Sequence, residues 1–247
     1  MLLDDPIVQE PPHEIIVRYY ESCIPYFIID NFYTEKELGL IWNELNFLLD
    51  GNKFNPPEET GTALRKGKPI KKNGGIFLDN LYEDRKYSNI LTVNRKLYQN
   101  FNNIISKCKS WWWTCISGSF NIITNDTTLV SYYENSDYYK SHWDQCMITS
   151  LTWFYKEPKV FEGGDLILNS ESSLANSDNV IHPINLMGSP EKIKIKNNRM
   201  VLFPSMVPHQ VTPVKIDSIY KNKGMGRFCI TNFLNTSTSF ATNVTTT

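Results

Sequence analysis

The sequence has no long hydrophobic run and no excess of charge of either sign. It contains no stretch of about 18 apolar residues, and its start lacks the cationic and apolar regions of a signal peptide. Its 25 basic and 26 acidic residues leave a net charge of −1, which gives no overall electrostatic reason to bind nucleic acid or a membrane. We therefore expect a cytoplasmic protein without membrane association, and nucleic acid is not an expected partner.

Cysteine pairs are also lacking. The cysteines are odd in number, widely spaced and without a CxxC motif: Cys23, Cys108, Cys115, Cys146 and Cys229. This pattern indicates neither a disulfide framework nor a thiolate zinc site, so we expect buried thiols. A hydrophobic content of 41% is ordinary for a globular protein and is enough for a substantial core. The sequence does not indicate an oligomeric state.

The chain is predicted to form one domain with a short extension at each end. We expect a loosely held leader over residues 1–15, a single domain over 16–235 and a tail over 236–247, which is rich in threonine. Within the domain, we expect helical support over 30–113 and a β-rich core over 115–235.

Helical spacing dominates the first half of the domain. An apolar run at residues 24–29 predicts a buried strand, and Thr34 can then cap a helix whose apolar residues recur at three- and four-residue steps. Residues 82–113 have a second helical pattern, which ends in three consecutive tryptophans. Both helices are predicted to support the core.

Residues 51–81 have a different composition, rich in glycine and proline. They include the basic run RKGKPIKK at 65–72 and are predicted to form a long loop or hairpin. One interpretation is a solvated loop, and the other is a loop that closes over a substrate. The basic run also leaves open local contact with a nucleic acid, which strong salt dependence of binding would reveal.

From Cys115 the pattern changes to short β-rich segments separated by turn residues. Eight such segments predict a mainly β fold with flanking helices, in which the core is a double-stranded β-helix, or jelly roll. Residues 169–190 are rich in serine and asparagine and are expected to be an insertion loop.

His142 and Asp144 could bind a metal ion together with a later histidine. The two residues are two positions apart, so on an extended segment their side chains leave the same face. His209 could complete the set. Two imidazoles and one carboxylate leave coordination positions open, as in non-haem Fe(II) oxygenases. An isolated HxD motif is weak evidence, and the surrounding segments add specificity.

Four segments in order resemble the 2-oxoglutarate and Fe(II)-dependent dioxygenases, in particular their prolyl 4-hydroxylase-like branch. The segments are YYENSDYYKSHWD, EPKVFEGGDLIL, NRMVLFPSMVPHQVTPV and GRFCITNF, and the resemblance covers about residues 125–235. It implies a jelly-roll fold, iron bound by His142, Asp144 and His209, and O₂ and 2-oxoglutarate as cosubstrates. Ascorbate could serve as a reductant.

The resemblance also implies residues that bind 2-oxoglutarate. Arg227 lies where the family places the basic residue that pairs with the distal carboxylate, to which a guanidinium can donate two parallel hydrogen bonds. Thr231 and Tyr132 are candidate hydroxyl donors, and Tyr139 is expected at the mouth of the pocket. On a regular strand, Arg227, Cys229 and Thr231 would point the same way.

The sequence departs from the family pattern at two places. Asn135 and Ser136 occupy a turn where the family often has glycine. Seventeen residues separate His209 from Arg227, a longer span than usual, so the segment KIDSIYKNKGMG would have to bulge out as a hairpin. The fallback anchors for the carboxylate are Lys215, Lys221 and Lys223.

The resemblance implies an enzyme that hydroxylates a prolyl residue of a protein or peptide and converts 2-oxoglutarate to succinate and CO₂. One alternative is the same chemistry on another acceptor, such as a lysyl side chain, a nucleobase or a small molecule. A second is a binding module in which the triad holds an ion structurally. The acceptor cannot be read from the sequence, because variable loops form the substrate grooves of such folds.

Overall fold

Two antiparallel sheets face each other and form the core of the fold. The computed structural model describes residues 13–21, 25–105, 123–169 and 189–236. The major sheet has seven strands in the order β1-β2-β12-β8-β15-β6-β5, and the minor sheet has four in the order β11-β10-β13-β7. Two further pairs, β14 with β9 and β3 with β4, form small sheets of their own. The predicted jelly roll with flanking helices is confirmed.

The strands of the described residues have the following bounds, in chain order: β1 (Ile16–Glu21), β2 (Pro25–Asp30), β3 (Leu64–Arg65), β4 (Lys68–Pro69), β5 (Gly74–Phe77), β6 (Ile123–Tyr133), β7 (Tyr139–His142), β8 (Ile148–Phe154), β9 (Phe161–Gly163), β10 (Leu166–Leu168), β11 (Glu191–Ile193), β12 (Arg199–Pro204), β13 (His209–Val211), β14 (Val214–Ile216) and β15 (Arg227–Thr236).

Three helices of the described residues are α1 (Glu35–Asp50), α2 (Leu78–Leu81) and α3 (Asn89–Ile105). The predicted cap of α1 is confirmed: Glu37 N–H donates to Thr34 Oγ1 at 3.2 Å, and Thr34 N–H donates to Glu37 Oε2 at 2.7 Å. The second predicted helix begins later than residue 82, because Ser88 Oγ accepts the Leu91 N–H and so caps α3.

The major sheet is covered on both faces. On one face, Met200, Leu202 and Phe228 pack in a cluster that includes apolar residues of α1 and α3. On the other face, Val201 and Phe203 pack in a cluster that includes apolar residues of the minor sheet. Because strand side chains alternate, every second residue of β12 and β15 faces the space between the sheets. The site lies in that space.

The predicted helical support over 30–113 contains α1, α2 and α3, and it also contains the short strands β3, β4 and β5. The pair β1 and β2 lies at one edge of the major sheet, and β5 lies at the other edge beside β6. The apolar run at residues 24–29 predicted β2, whereas β1 and β5 were not predicted as strands.

Residues 51–81 form one wall of the space between the sheets. Gly74–Phe77 pairs with β6, while the Lys140 N–H donates to Ile70 O at 3.0 Å and the Lys72 N–H donates to Tyr138 O at 2.9 Å. The segment therefore contacts the edge strand of each sheet. The interpretation of this segment as a solvated loop is therefore wrong for residues 70–77, which pair with strands of the two sheets.

Several predictions fall mainly outside the described residues: the leader up to residue 12, the tryptophans at 111–113, most of the insertion over 169–190 and the tail after residue 236. Within the described ranges, no helix combines the length and the apolar character needed to cross a bilayer.

Candidate metal and cosubstrate site

Two histidines face each other across neighbouring strands of the minor sheet. His142 ends β7, His209 begins β13, and the two residues are directly paired in the antiparallel register. Directly opposed residues have side chains close enough to interact, and here the ring centroids lie 4.3 Å apart. The strand register therefore explains how residues far apart in sequence meet at one point.

Backbone carbonyls fix the orientation of both imidazole rings. Nδ1 of His142 lies 2.9 Å from Lys140 O, and Nδ1 of His209 lies 2.9 Å from Val207 O. A carbonyl oxygen only accepts, so each Nδ1 carries the proton and donates it. Each Nε2 is then left with a free lone pair, which is the form that binds a metal.

Asp144 completes the cluster. Its Oδ1 lies 3.7 Å from Nε2 of His142, and its Oδ2 lies 3.4 Å from Nε2 of His209. The Asp144 N–H donates to Ser205 O at 3.0 Å, and Thr149 Oγ1 donates to Oδ2 at 2.7 Å. These bonds hold the carboxylate toward the two Nε2 atoms, as outer-shell donors do for metal ligands.

The donor set fits a divalent cation. One ligand atom from each of His142, Asp144 and His209 lies within 4.8 Å of the others. Burial lowers the pKa of His142 well below its usual value, and the charge of His209 acts in the same direction, so the ring is neutral at pH 7. Two imidazoles and one carboxylate on one side match the set that leaves positions open on an iron ion.

A cavity of about 420 Å³ opens from the triad into the space between the sheets. Arg227 lines it from the major sheet and is completely buried. None of its three guanidinium nitrogens has a hydrogen-bond acceptor among the described residues. Buried charges in proteins are normally paired, so this guanidinium requires an anionic ligand. A carboxylate fits its two parallel donors.

The surroundings of Arg227 hold its side chain in place without neutralising it. Its Cζ lies 4.5 Å from the centroid of the Tyr133 ring and 5.8 Å from that of Trp153. Gly164 has a φ of +70°, and a Cβ there would lie 2.9 Å from Arg227 Cδ. The second glycine of the GGDLIL segment therefore leaves room for the arginine as well as forming the turn.

The other predicted neighbours on β15 lie as expected. Arg227, Cys229 and Thr231 all line the cavity, and the intervening Phe228 packs on the opposite face of the sheet. The long segment before Arg227 contains β14 and a short 3-10 turn at Ser218–Tyr220. It does not displace Arg227 from the cavity, because β15 begins at Arg227. The three fallback anchors are exposed: Lys215, Lys221 and Lys223.

Tyr132 does not line the cavity, and this part of the prediction is corrected. Its ring packs against Phe228 at 4.7 Å, and its hydroxyl donates to Glu134 at 2.7 Å. The reason is strand alternation, which turns residue 132 toward the helices and residue 133 toward the cavity. Tyr133 is directly opposite Arg227 in the register and lines the cavity in place of Tyr132.

Tyr139 does line the cavity, beside the metal cluster. Its ring stacks on His142 with centroids 3.5 Å apart, and its hydroxyl accepts the Ala63 N–H at 3.3 Å. Tyr139 therefore connects the outer wall, which includes residues 60–63, to the position of the first histidine.

The turn at Asn135 and Ser136 packs on β14. Asn135 Oδ1 accepts the Ile216 N–H at 2.9 Å, and the Ser136 N–H donates to Val214 O at 2.7 Å. Ser136 has a φ of +69°, a conformation that favours glycine. The departure from the family pattern is thus accommodated without loss of a cavity residue.

Sequence reasoning missed three contributors to the site. Thr149 and Ser205 support Asp144, with their hydroxyl oxygens 2.9 Å apart. Lys71 lines the cavity from the outer wall. The alternation of β8 could have identified Thr149 as a residue on the cavity face, but Lys71 has no signal beyond its place in the basic run.

Comparison with known proteins identifies the same region. Residues 128–235 match the family model of the 2OG-Fe(II) oxygenase superfamily. A prolyl-4-hydroxylase of Pseudomonas putida shares the fold with a TM-score of 0.54 and 14% identity, over 85% of this chain and 92% of that one. A viral collagen prolyl hydroxylase of Paramecium bursaria Chlorella virus-1 gives 0.43 and 15%, over 85% and 94%. No curated protein sequence matches the chain.

Proposed function

We propose that this chain, whose residues 128–235 form a domain of the 2OG-Fe(II) oxygenase superfamily, hydroxylates a prolyl residue of a protein or peptide in a reaction that consumes 2-oxoglutarate and O₂. One observation carries the proposal. The triad of His142, Asp144 and His209 opens into the same cavity as the buried, unpartnered guanidinium of Arg227. A structural ion would need no such guanidinium.

The triad would hold Fe(II) on one face and leave the cavity side open. When bound there, iron and 2-oxoglutarate supply the oxidising chemistry that places one oxygen atom of O₂ on a C–H carbon and the other in succinate, with release of CO₂. Thr149 keeps the Asp144 carboxylate aimed at the two Nε2 atoms, and the backbone carbonyls keep both imidazoles in the metal-binding tautomer.

Arg227 would orient 2-oxoglutarate through its distal carboxylate. The guanidinium is held between two aromatic rings, so a bidentate pair with the carboxylate forms without reorganisation of the side chain. Thr231 lies on the same face of β15 and offers a hydroxyl donor to the same molecule. Lysine at position 227 could not reproduce this geometry.

The prolyl acceptor is the finer part of the proposal. It is supported by the four motif segments and by a cavity whose outer part includes an aromatic pair, Phe77 and Phe233, with ring centroids 6.2 Å apart. Aromatic surfaces are common in grooves that bind proline-rich chains. The prolyl-4-hydroxylase of Pseudomonas putida shares the fold, which is consistent with this acceptor.

The test measures succinate formation with Fe(II) and 2-oxoglutarate, with and without ascorbate, in the presence of proline-containing peptides. Peptide products are then analysed by mass spectrometry for the gain of one oxygen atom on proline. We expect succinate formation that depends on iron and is lost in His142→Ala. Succinate without any oxidised proline would reject the prolyl acceptor, and no succinate under any condition would reject the enzyme in favour of a structural ion.

We also retain two proposals from the sequence. Ascorbate would maintain the iron in its reduced state, which the omission of ascorbate tests directly. A cytoplasmic location would provide both a reducing environment for unpaired cysteines and a supply of 2-oxoglutarate, and cell fractionation tests it.

A further inference from the structure

Lys71 is a buried cation that the proposed chemistry does not use. It lines the cavity from the outer wall and is only 4% exposed. Its backbone is paired with Tyr139, the residue that stacks on His142, so it lies on the same side of the cavity as the metal cluster. No carboxylate of the described residues lies within ion-pair distance of its ammonium group, which contacts the Tyr139 ring at 5.4 Å from the centroid.

The neighbouring lysine shows what an ordinary member of the same basic run does. Lys72 is exposed, and its ammonium lies 3.5 Å from Asp137 Oδ1. Lys66 and Lys68 are also exposed. A buried ammonium without an ionic partner is costly, and here burial lowers the pKa of Lys71 to about 8 although Asp144 opposes the shift. Lys71 therefore differs from the rest of the run.

The charge balance of the cavity indicates what Lys71 lacks. Among the described residues, the charged side chains that line it are Lys71, Asp144 and Arg227. Fe(II) with Asp144 carries one net positive charge, and Arg227 adds another, so together they balance the two carboxylates of 2-oxoglutarate. Of these three side chains, Lys71 then carries the charge that is left uncompensated, in a space where low dielectric makes such a charge expensive.

We propose that Lys71 recognises a carboxylate on the acceptor substrate, close to the C–H bond that is oxidised. This deepens the proposed function and rests on it. The carboxylate could belong to an acidic side chain next to the target residue or to the free end of a chain or amino acid. Arg227 serves the cosubstrate from the major sheet, whereas Lys71 lies on the opposing wall that residues 51–81 contribute.

The proposal is tested by binding of matched carboxylate and amide pairs to the full chain, loaded with Fe(II) and 2-oxoglutarate without O₂ so that no turnover occurs. The first pair is an end-blocked tetrapeptide, glycyl-prolyl-glutamyl-glycine, and its glutamine counterpart. The second pair is N-acetylproline and its amide. The third pair, butyrate and butyramide, contains no proline. Calorimetry gives the dissociation constant of each compound.

We expect the carboxylate of at least one pair to bind about tenfold more tightly than its amide, because one desolvated charge pair is worth at least that much. Lys71→Met should remove the preference, and Lys71→Arg should keep it. The affinity for 2-oxoglutarate should stay within about twofold of that of the unmodified protein in both variants. The pair that shows the preference identifies the source of the carboxylate.

Two results would overturn the proposal. The first is equal binding of carboxylate and amide in all three pairs by the unmodified protein, which needs no variant and so holds even where Lys71→Met does not fold. The second is loss of 2-oxoglutarate affinity in Lys71→Met, which would assign Lys71 to the cosubstrate. A Lys71-dependent preference with butyrate alone would support the carboxylate site and reject the prolyl acceptor. Oxidation of proline without a preference for the carboxylate in any pair would support the prolyl acceptor and reject the carboxylate site.

Discussion

Replacing Arg227 with methionine should stabilise the protein in the absence of 2-oxoglutarate and remove its affinity for 2-oxoglutarate. In the free protein, the guanidinium is fully buried and its nitrogens lack hydrogen-bond acceptors among the described residues. Methionine is flexible and unbranched, like the aliphatic stem of arginine, and has no charge to desolvate. The two effects should therefore have opposite signs, which a purely structural arginine would not give.

The size of each effect follows from the environment of the guanidinium. Removal of a buried charge is worth about 1–4 kcal/mol, and loss of the contacts with Tyr133 and Trp153 offsets about 1–2 kcal/mol of it. A net gain of about 1 kcal/mol would raise the Tm by about 2–4 °C in a chain of this size. Loss of the ion pair with the carboxylate should weaken 2-oxoglutarate binding by about 2–5 kcal/mol, which raises the Kd at least about thirtyfold.

Thermal unfolding with and without 2-oxoglutarate measures both effects. At a ligand concentration about 100 times the Kd of the unmodified protein, that protein should gain about 2.7 kcal/mol, whereas Arg227→Met should gain less than about 1 kcal/mol. The experiment is done with a divalent metal ion in all samples, so that only the carboxylate anchor differs. Calorimetric titration of 2-oxoglutarate then gives the affinity directly.

Arg199→Met is the matched control. Arg199 donates to Asp30 from Nε at 2.6 Å and from Nη2 at 3.0 Å, so its loss removes partners of a buried carboxylate and should destabilise the protein. Its response to 2-oxoglutarate should be unchanged. The reasoning would be refuted if Arg227→Met were as destabilising as Arg199→Met, or if it kept its response to 2-oxoglutarate.

Two further predictions concern the support of the triad and the edge of the sheet. Thr149→Val removes the donor to Asp144 and should weaken metal affinity about 10- to 100-fold in a metal titration. The control is Thr152→Val, which should not change metal affinity because Thr152 faces the helices. Equal effects of the two variants would contradict the role of Thr149 in supporting Asp144. Burial raises the pKa of Asp30, but hydrogen bonds from Arg199 and Arg18 and the charges of Arg199 and Lys196 lower it to about 2. Because that folded-state pKa lies below the unfolded value of 3.8, ionised Asp30 should contribute about 2 kcal/mol to the free energy of unfolding above pH 4. Urea unfolding should show that this contribution is lost as the pH falls from about 4 toward 2. Asp30→Asn should not show this loss.

The metal ligands could be predicted from the sequence because each one is part of a local pattern. His142 and Asp144 share a short motif, and His209 follows β12, whose residues after Arg199 are all apolar. Arg227 was found because it begins the last strand, and strand alternation then correctly put Cys229 and Thr231 on the same face. The metal ligands, Arg227 and the cavity face of β15 could be predicted because each depends on residues nearby in the sequence.

The features that were missed depend on pairing between distant segments. The face of Tyr132 follows from the register of β6 against β15, in which Arg227 opposes Tyr133, and a shift by one residue would exchange the two tyrosines. Similarly, Lys71 enters the cavity only because residues 70–72 pair with the edge of β7. A composition rich in glycine, proline and lysine gives no indication of such a pairing.

The wall formed by residues 51–81 comes from a different part of the chain than the triad and Arg227, which lie within the matched residues 128–235. Substitutions of the cavity-lining side chains at residues 60–62 can therefore reshape the entrance without removing the Ala63 N–H that donates to Tyr139. The same reactive centre could in this way be adapted to new acceptors during evolution by changes in a single peripheral segment.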